Sequence, residues 1–431
     1  MKTRILVRAW LVGCLSLALL LSACTAVTPT SSAQASDTAA PDTPAAEDAA
    51  TETPSVEAAI TLTIWMPPAF SPTDGDLAAR LLQEQLDAFH AAHPSVRVEV
   101  RLKVEEGEGG LLNALRAASN AAPLALPDLV LLPSDFMPAA AAEGLVLPLD
   151  GLLDEDLDAD FYDFGRQMVE VEGGTYGLPF VGDAMILIHR LSAIEAPPAT
   201  WSESLEGPLA IGFAAADPEA LFSFHQLMAP GDEEGPALSL SGEPDTERIQ
   251  RLLNYYAEGR ASGAYPFWLT QYENPAQTWQ MFLEGQAPMV ANWASRYLQS
   301  PDPNLSGKLL LTQEGTSYAL AKGWAWAVST PRPEQMATIV ELAEFLSAGE
   351  FMAQWSAAAG LLPTRDSALA AWAPSERQIL SSQVAPVAEI LPSPELRQTY
   401  GPALSAAAIA LLKQETSPSE ALELFLELAA P

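Results

Sequence analysis

The chain has 431 residues, with 21 Lys plus Arg against 55 Asp plus Glu and a formal net charge of −34. Hydrophobic residues make up 49% and charged residues 18%, which excludes a disordered chain and supplies a large core. The acid excess argues against nucleic acid, whose phosphates need Lys and Arg to displace counterions, and against electrostatic docking on anionic lipid.

Lys2, Arg4 and Arg8 precede an almost wholly apolar run at 9–21. That run is too short to span about 30 Å of hydrocarbon as a helix and suits the core of a signal peptide. Leu21-Ser22-Ala23-Cys24 follows directly and resembles the bacterial lipobox. The resemblance implies loss of residues 1–23 and lipidation of Cys24; the alternative is an ordinary secretory signal that ends near a cysteine. Cys14, the other cysteine, lies in the discarded segment, so no internal disulfide is expected. Acyl chains rather than charge then hold the protein at a membrane. Residues 24–58 contain no aromatic residue, Lys or Arg and are dominated by Ala, Thr, Ser and Pro. Such a segment cannot offset the entropy of ordering itself and reads as a disordered acidic tether.

The alternating β-branched run 60–65 predicts a strand. Asp76 is placed to cap a helix whose Leu82, Leu86 and Phe89 share a face and which Pro94 stops. Val96, Val98, Val100 and Leu102 alternate as a second strand, and 111–119 predicts a helix. The apolar run 128–132 predicts a strand buried on both faces. A helix through 139–142 ends at Gly144, and 145–149 is expected to return as a strand. Residues 173–177 predict a turn, 185–188 a strand, 248–258 and 276–284 helices, 324–328 a strand and 336–346 an amphipathic helix. The C-terminal third reads as helical, interrupted by Pro374, Pro392, Pro394 and Pro402. Strands alternating with helices imply an α/β fold with mostly parallel sheets.

Several segments, in order, resemble the family-1 extracellular solute-binding proteins of ATP-binding-cassette importers, the maltose-binding-protein-like group. Phe89-His90-Ala91-Ala92-His93-Pro94 leads into the second strand, and Pro127-Asp128-Leu129-Val130 precedes Ala142-Glu143-Gly144-Leu145. Tyr176-Gly177-Leu178-Pro179-Phe180, Pro198-Ala199-Thr200-Trp201-Ser202-Glu203 and Phe282-Leu283-Glu284-Gly285-Gln286-Ala287-Pro288-Met289 continue the series. Gly360-Leu361-Leu362-Pro363-Thr364-Arg365 closes it. The resemblance implies a two-lobe periplasmic-binding-protein-like fold with a hinge crossed three times. Residues 60–183 plus 324–372 form lobe 1, and 184–323 plus 373–431 form lobe 2. A ligand in the cleft must touch both lobes to drive closure, because only differential affinity shifts such an equilibrium.

Sugars are held by aromatic faces and by buried polar groups that meet hydroxyls. Trp65 ends the first strand and either lines the cleft or packs. Asp135 resembles a ligand-contacting carboxylate of the family, with a helix cap as the other reading. Asp183 resembles another ligand contact and otherwise serves the hinge. Trp293 sits at the family's recurrent cleft tryptophan. Trp324 and Trp326 share a strand face, and Trp324 lies nearer the hinge. Tyr400 resembles a C-terminal aromatic that reaches the cleft. Trp201 is expected to pack, and Trp355 and Trp372 are assigned to the core.

No G-x-S-x-G, H-E-x-x-H, C-x-x-C or P-loop occurs. Asp154, Asp156, Asp158 and Asp160 alternate but lack the Gly and Glu of a calcium loop and read as a solvated acidic helix start. His90 and His93 have no second pair, so neither metal nor cofactor is expected. The reading is a non-enzymatic, monomeric, lipid-anchored receptor on the extracytoplasmic face of a bacterial membrane. It captures a mono- or oligosaccharide for the transmembrane permease of an ATP-binding-cassette importer, with no nucleic-acid partner. The alternatives are a cationic solute such as a polyamine, an anchored carbohydrate-active hydrolase, and a binding protein that signals to a membrane sensor.

Overall fold

The computed structural model describes residues 60–153, 159–207, 209–229, 236–313, 315–330 and 332–430. The signal segment, the tether, Cys24 and the acidic positions Asp154, Asp156 and Asp158 lie outside the described residues. Strand β1 (Ile60–Met66) takes the alternating pattern as expected and pairs in parallel with β2 (Val96–Leu102) and β3 (Leu129–Pro133). Helix α1 (Leu77–Ala92) joins β1 to β2; Asp76 Oδ1 accepts the Ala79 amide at 2.7 Å, and Leu82, Leu86 and Phe89 are buried. Helices α2 (Leu111–Ala121) and α3 (Met137–Ala142) flank β3, whose four leading residues are all buried. Short α4 (Asp163–Gln167) precedes a hairpin, 170–171 with 174–175, whose turn residues Glu172 and Gly173 both have positive φ.

The sheet then changes partners along a single strand. β4 (Leu178–Arg190) begins seven residues before the 185–188 segment predicted from sequence. It runs on through α5 (Trp201–Leu205), β5 (Ile211–Gly212), α6 (Leu221–Met228), α7 (Thr246–Ser262) and α8 (Pro275–Leu283) to β6 (Met289–Trp293). Helix α9 (Ala294–Leu298), β7 (Leu305–Leu309) and β8 (Ala319–Val328) follow. Residues 178–184 of β4 pair antiparallel with β8, whereas 185–190 pair with β6 and β7. β8 also lies antiparallel to β3, so the order is β2-β1-β3-β8-β4-β6-β5. Parallel pairs sit at both ends, β2-β1-β3 and β6-β5.

Helices α10 (Met336–Leu346), α11 (Gly349–Ala359) and α12 (Asp366–Ala370), with β9 (Leu362–Pro363), cover the β1–β3 end. Helix α13 (Glu376–Val384), β10 (Ala388–Ile390), α14 (Pro394–Leu412) and α15 (Pro418–Leu428) close the chain. One apolar cluster joins α1, α10 and α11 to β1 and β3 around Phe89, Trp326 and Trp355. Another joins α6, α7, α14 and α15 around Tyr256, Phe224 and Phe425. A third follows β3, β4 and β6 with Leu115, Val130, Ile186 and Phe282.

One expected strand is absent. Residues 145–149 begin with a bend and are mostly buried, but Leu147 bonds the Val328 carbonyl and Leu149 the Thr175 carbonyl, two different partners. Pro148 between them has no N–H to continue a ladder. Asp160, the described member of the acidic run, accepts from Ser367 and Arg365. Among the described residues no cluster fit to hold a metal occurs, and no helix is long and apolar enough to cross a membrane.

Candidate functional site

The period of β8 puts Lys322, Trp324 and Trp326 on one face of the sheet. Burial grades along that row. Trp326 is fully buried against Phe180, with centroids 5.5 Å apart, while Trp324 and Lys322 are half-buried. The Trp324 ring leans on Phe70 at 5.1 Å, and its Nε1 donates to Glu105 Oε1 at 2.8 Å. Lys322 Nζ lies 4.3 Å from the Trp293 ring centroid and 5.9 Å from that of Trp324.

Lys322 faces Asp183 across the β8–β4 pairing, at the point where β4 changes partners. The Asp183 carboxylate accepts from the Ser295 amide at 3.0 Å and the Ser295 hydroxyl at 2.6 Å, which fixes the start of α9 just after Trp293. Burial pushes the Asp183 carboxyl up, while Lys322 and the two Ser295 bonds oppose that shift. Asn292 holds the preceding strand end: its Nδ2 donates to the Pro275 carbonyl at 2.7 Å and its Oδ1 accepts the Trp293 amide.

A polar cavity of about 330 Å³ adjoins this floor through Glu105. Its walls include Glu105, Glu106 and Asp135 on one side and Glu219 and Arg397 on the other. Arg397 is buried on the second turn of α14. It donates to Asp135 Oδ2 at 2.6 Å, to Glu219 Oε1 at 2.7 Å and to the Pro392 carbonyl at 3.0 Å. The Glu219 loop is tightly built. Asp217 accepts the Glu219 and Leu221 amides ahead of α6, and Ala220 sits in the left-handed region at φ 49°. Burial pushes the Asp217 carboxyl up to about 6 against those amide bonds, and nearby Glu219 adds to the rise. Gly401, where α14 meets this loop, leaves no room for a side chain: a Cβ there lies 2.3 Å from the Pro218 carbonyl oxygen.

Of the six residues singled out from sequence, Asp183, Trp293 and Trp324 therefore gather around Lys322, and Asp135 walls the adjoining cavity. Trp65 is 5% exposed, its Nε1 has no partner, and Lys103 Nζ lies 4.7 Å over its ring. Tyr400 is buried in the same apolar cluster as Trp293, donates to the Ser239 carbonyl at 2.8 Å and stacks on Phe425. Trp201 packs as expected, stacked on Tyr255 at 4.2 Å, and Trp355 is core. Sequence reasoning missed Lys322, Arg397, Glu105 and Glu219. Lys322 had a usable signal, since it stands two residues before Trp324 on a strand; Arg397 had none, its partner Asp135 being 262 positions away.

The Trp324 indole reaches this polar cavity through its bond to Glu105, an apolar face beside polar groups of the kind that suits a small-molecule site. The chain belongs to the bacterial extracellular solute-binding protein family, whose model matches residues 84–378, more than half of the sequence. This is a family of binding proteins, not enzymes, and an extracytoplasmic one. A maltotriose-binding protein of Pyrococcus abyssi is 29% identical over 127 residues, which is 30% of this chain and 26% of that relative. The match thus spans about a quarter of the relative's length. Among solved structures, a cyclic α-maltosyl-1,6-maltose binding protein from Arthrobacter globiformis superposes with a TM-score of 0.68 at 20% identity, over 86% of this chain and 98% of that one. The maltotriose binding protein of Thermus thermophilus does so at 0.59 and 18%, over 85% and 99%. The α/β two-lobe solute-binding fold expected from sequence is the fold observed.

Proposed function

We propose that the protein captures a mono- or short oligosaccharide in a cleft between two lobes and delivers it to the permease of an ATP-binding-cassette importer. The observation that carries this is the meeting of the half-buried Trp324 indole, held by Glu105, with a cavity walled by Asp135, Glu219 and Arg397. Pyranose rings offer apolar faces to an indole and hydroxyls to charged neighbours, and a site of this kind meets both. A volume of about 330 Å³ lies at the lower end of the roughly 300–1,000 Å³ of small-molecule sites, which favours a short ligand. The cavity draws its walls from 105–136 and from 219 and 394–398, stretches assigned from sequence to opposite lobes (60–183 plus 324–372, and 184–323 plus 373–431). A ligand there touches both, as closure requires. The names of the similar proteins, which bind maltotriose or a cyclic maltosyl-maltose, support the same class. The protein is a monomer, tethered through a lipid on Cys24.

The reading is tested by thermal shift with glucose, maltose, maltotriose and spermidine, each at low and high salt. A saccharide is expected to raise the melting temperature by mass action, with little salt dependence. A shift from spermidine alone, abolished by salt, refutes it.

A further inference from the structure

Lys322 stands out because the chain carries 21 basic residues in 431 and places this one on the aromatic floor of the site. The residue is half-buried, and among the described residues no hydrogen bond or ion pair engages its ammonium. Its neighbours are two indole faces, at 4.3 and 5.9 Å, and Asp183 on the next strand. No hydrogen bond joins it to Asp183, whose oxygens accept from Ser295, although its charge favours the ionised carboxylate across the pairing. Three N–H donors therefore remain unspent at a place where water is partly excluded.

Two consequences follow for a solute lying on these indoles. A ligand oxygen brought between them meets a donor that makes no hydrogen bond within the described residues, and a hydrogen bond to an ammonium is stronger than one between neutral groups. A cationic solute meets the opposite. The indole faces it needs are already occupied by the Lys322 charge, and a second cation at that distance is repelled.

We propose that Lys322 is a specificity-determining residue of the cleft: it donates to oxygen acceptors of the bound solute and keeps cationic solutes off Trp293 and Trp324. This rests on the saccharide reading and adds to it the sign of charge that the site accepts.

The test compares wild type, Lys322→Met and Lys322→Arg by intrinsic tryptophan fluorescence titration with glucose, maltose, maltotriose and spermidine. Melting temperatures without ligand control for folding. Wild type is expected to bind at least one of the sugars and not spermidine. Lys322→Met should lose at least about tenfold in affinity for that sugar and begin to bind spermidine. Lys322→Arg, which keeps the charge, should continue to exclude spermidine whether or not it retains the sugar. Sugar affinity in Lys322→Met equal to wild type overturns the role of Lys322 and leaves saccharide binding standing. Wild type that binds spermidine and none of the sugars overturns both.

Discussion

Replacing Arg397 by Met removes a guanidinium while keeping much of the apolar stem, so it isolates the ion-pair contribution at the cavity. The Arg397 side chain is 3% exposed, Asp135 29% and Glu219 54%. The bond to Asp135, at 2.6 Å, is charge-assisted and contributes about 1.5–3 kcal/mol. Glu219 is more than half exposed and is rehydrated when left alone, so its share is about 0–1 kcal/mol. The Pro392 carbonyl loses its donor at a further cost of about 1 kcal/mol. The expected loss is about 2.5–5 kcal/mol, close to the range for breaking a buried pair from one side. Urea unfolding of wild type, Arg397→Met, Asp135→Asn and the double variant closes a cycle. A coupling of about 1.5 kcal/mol or more is expected, because Asp135→Asn should cost little once the cation is gone. A coupling below about 0.5 kcal/mol refutes the claim that this pair ties α14 to the β3 side of the cavity.

Asp217 makes the stability depend on pH in a definite direction. Its carboxyl is raised to about 6 from an unfolded value of about 3.9, so the fold disfavours the ionised form. The penalty is absent below pH 4, grows as pH rises towards 6, and reaches about 3 kcal/mol above it. Asp217→Asn should therefore gain on wild type between pH 4 and 6.5 in urea unfolding; a pH-independent difference speaks against a raised carboxyl. Gly401→Ala should destabilise by about 1–3 kcal/mol through the clash with the Pro218 carbonyl. A gain in stability, as Gly to Ala gives in an unobstructed helix, would show that the loop yields.

What the sequence disclosed depended on how local the cause was. Helix α1 was legible end to end because Asp76, the Leu82–Leu86–Phe89 stripe and Pro94 all lie within one element. Strand β4 was visible only in its second half. Pro179 and Gly182 break the apolar pattern in the first half, where pairing with β8 and β9 rather than propensity holds the strand extended. The site follows the same division. Period two along β8 put Trp324 and Trp326 on one face, and the structure adds that burial decreases along that face towards Lys322. Arg397 is one of several arginines on helices in the sequence; its role exists only because Asp135 and Glu219 arrive from two distant stretches of chain.

The placement of these few cations bears on the charge that the site presents to a solute. Asp135, Glu219, Glu105 and Glu106 share one cavity with Arg397 and with Arg116, which is itself paired to Glu143, and without Arg397 the four acids would outnumber the one remaining cation within a field of formal charge −34. Such a pocket attracts small cations from solution and holds them against any uncharged solute. Arg397 neutralises two of the four through direct bonds, and the Trp324 indole engages a third, Glu105, with a donor. Lys322 then sets a positive charge on the aromatic floor beside them. The acidic surface and the site thus act in opposite directions. A net charge of this sign favours solubility, whereas near the site Arg397 and Trp324 engage three of the four carboxylates and Lys322 adds a positive charge between two indoles, the arrangement from which the saccharide reading is proposed.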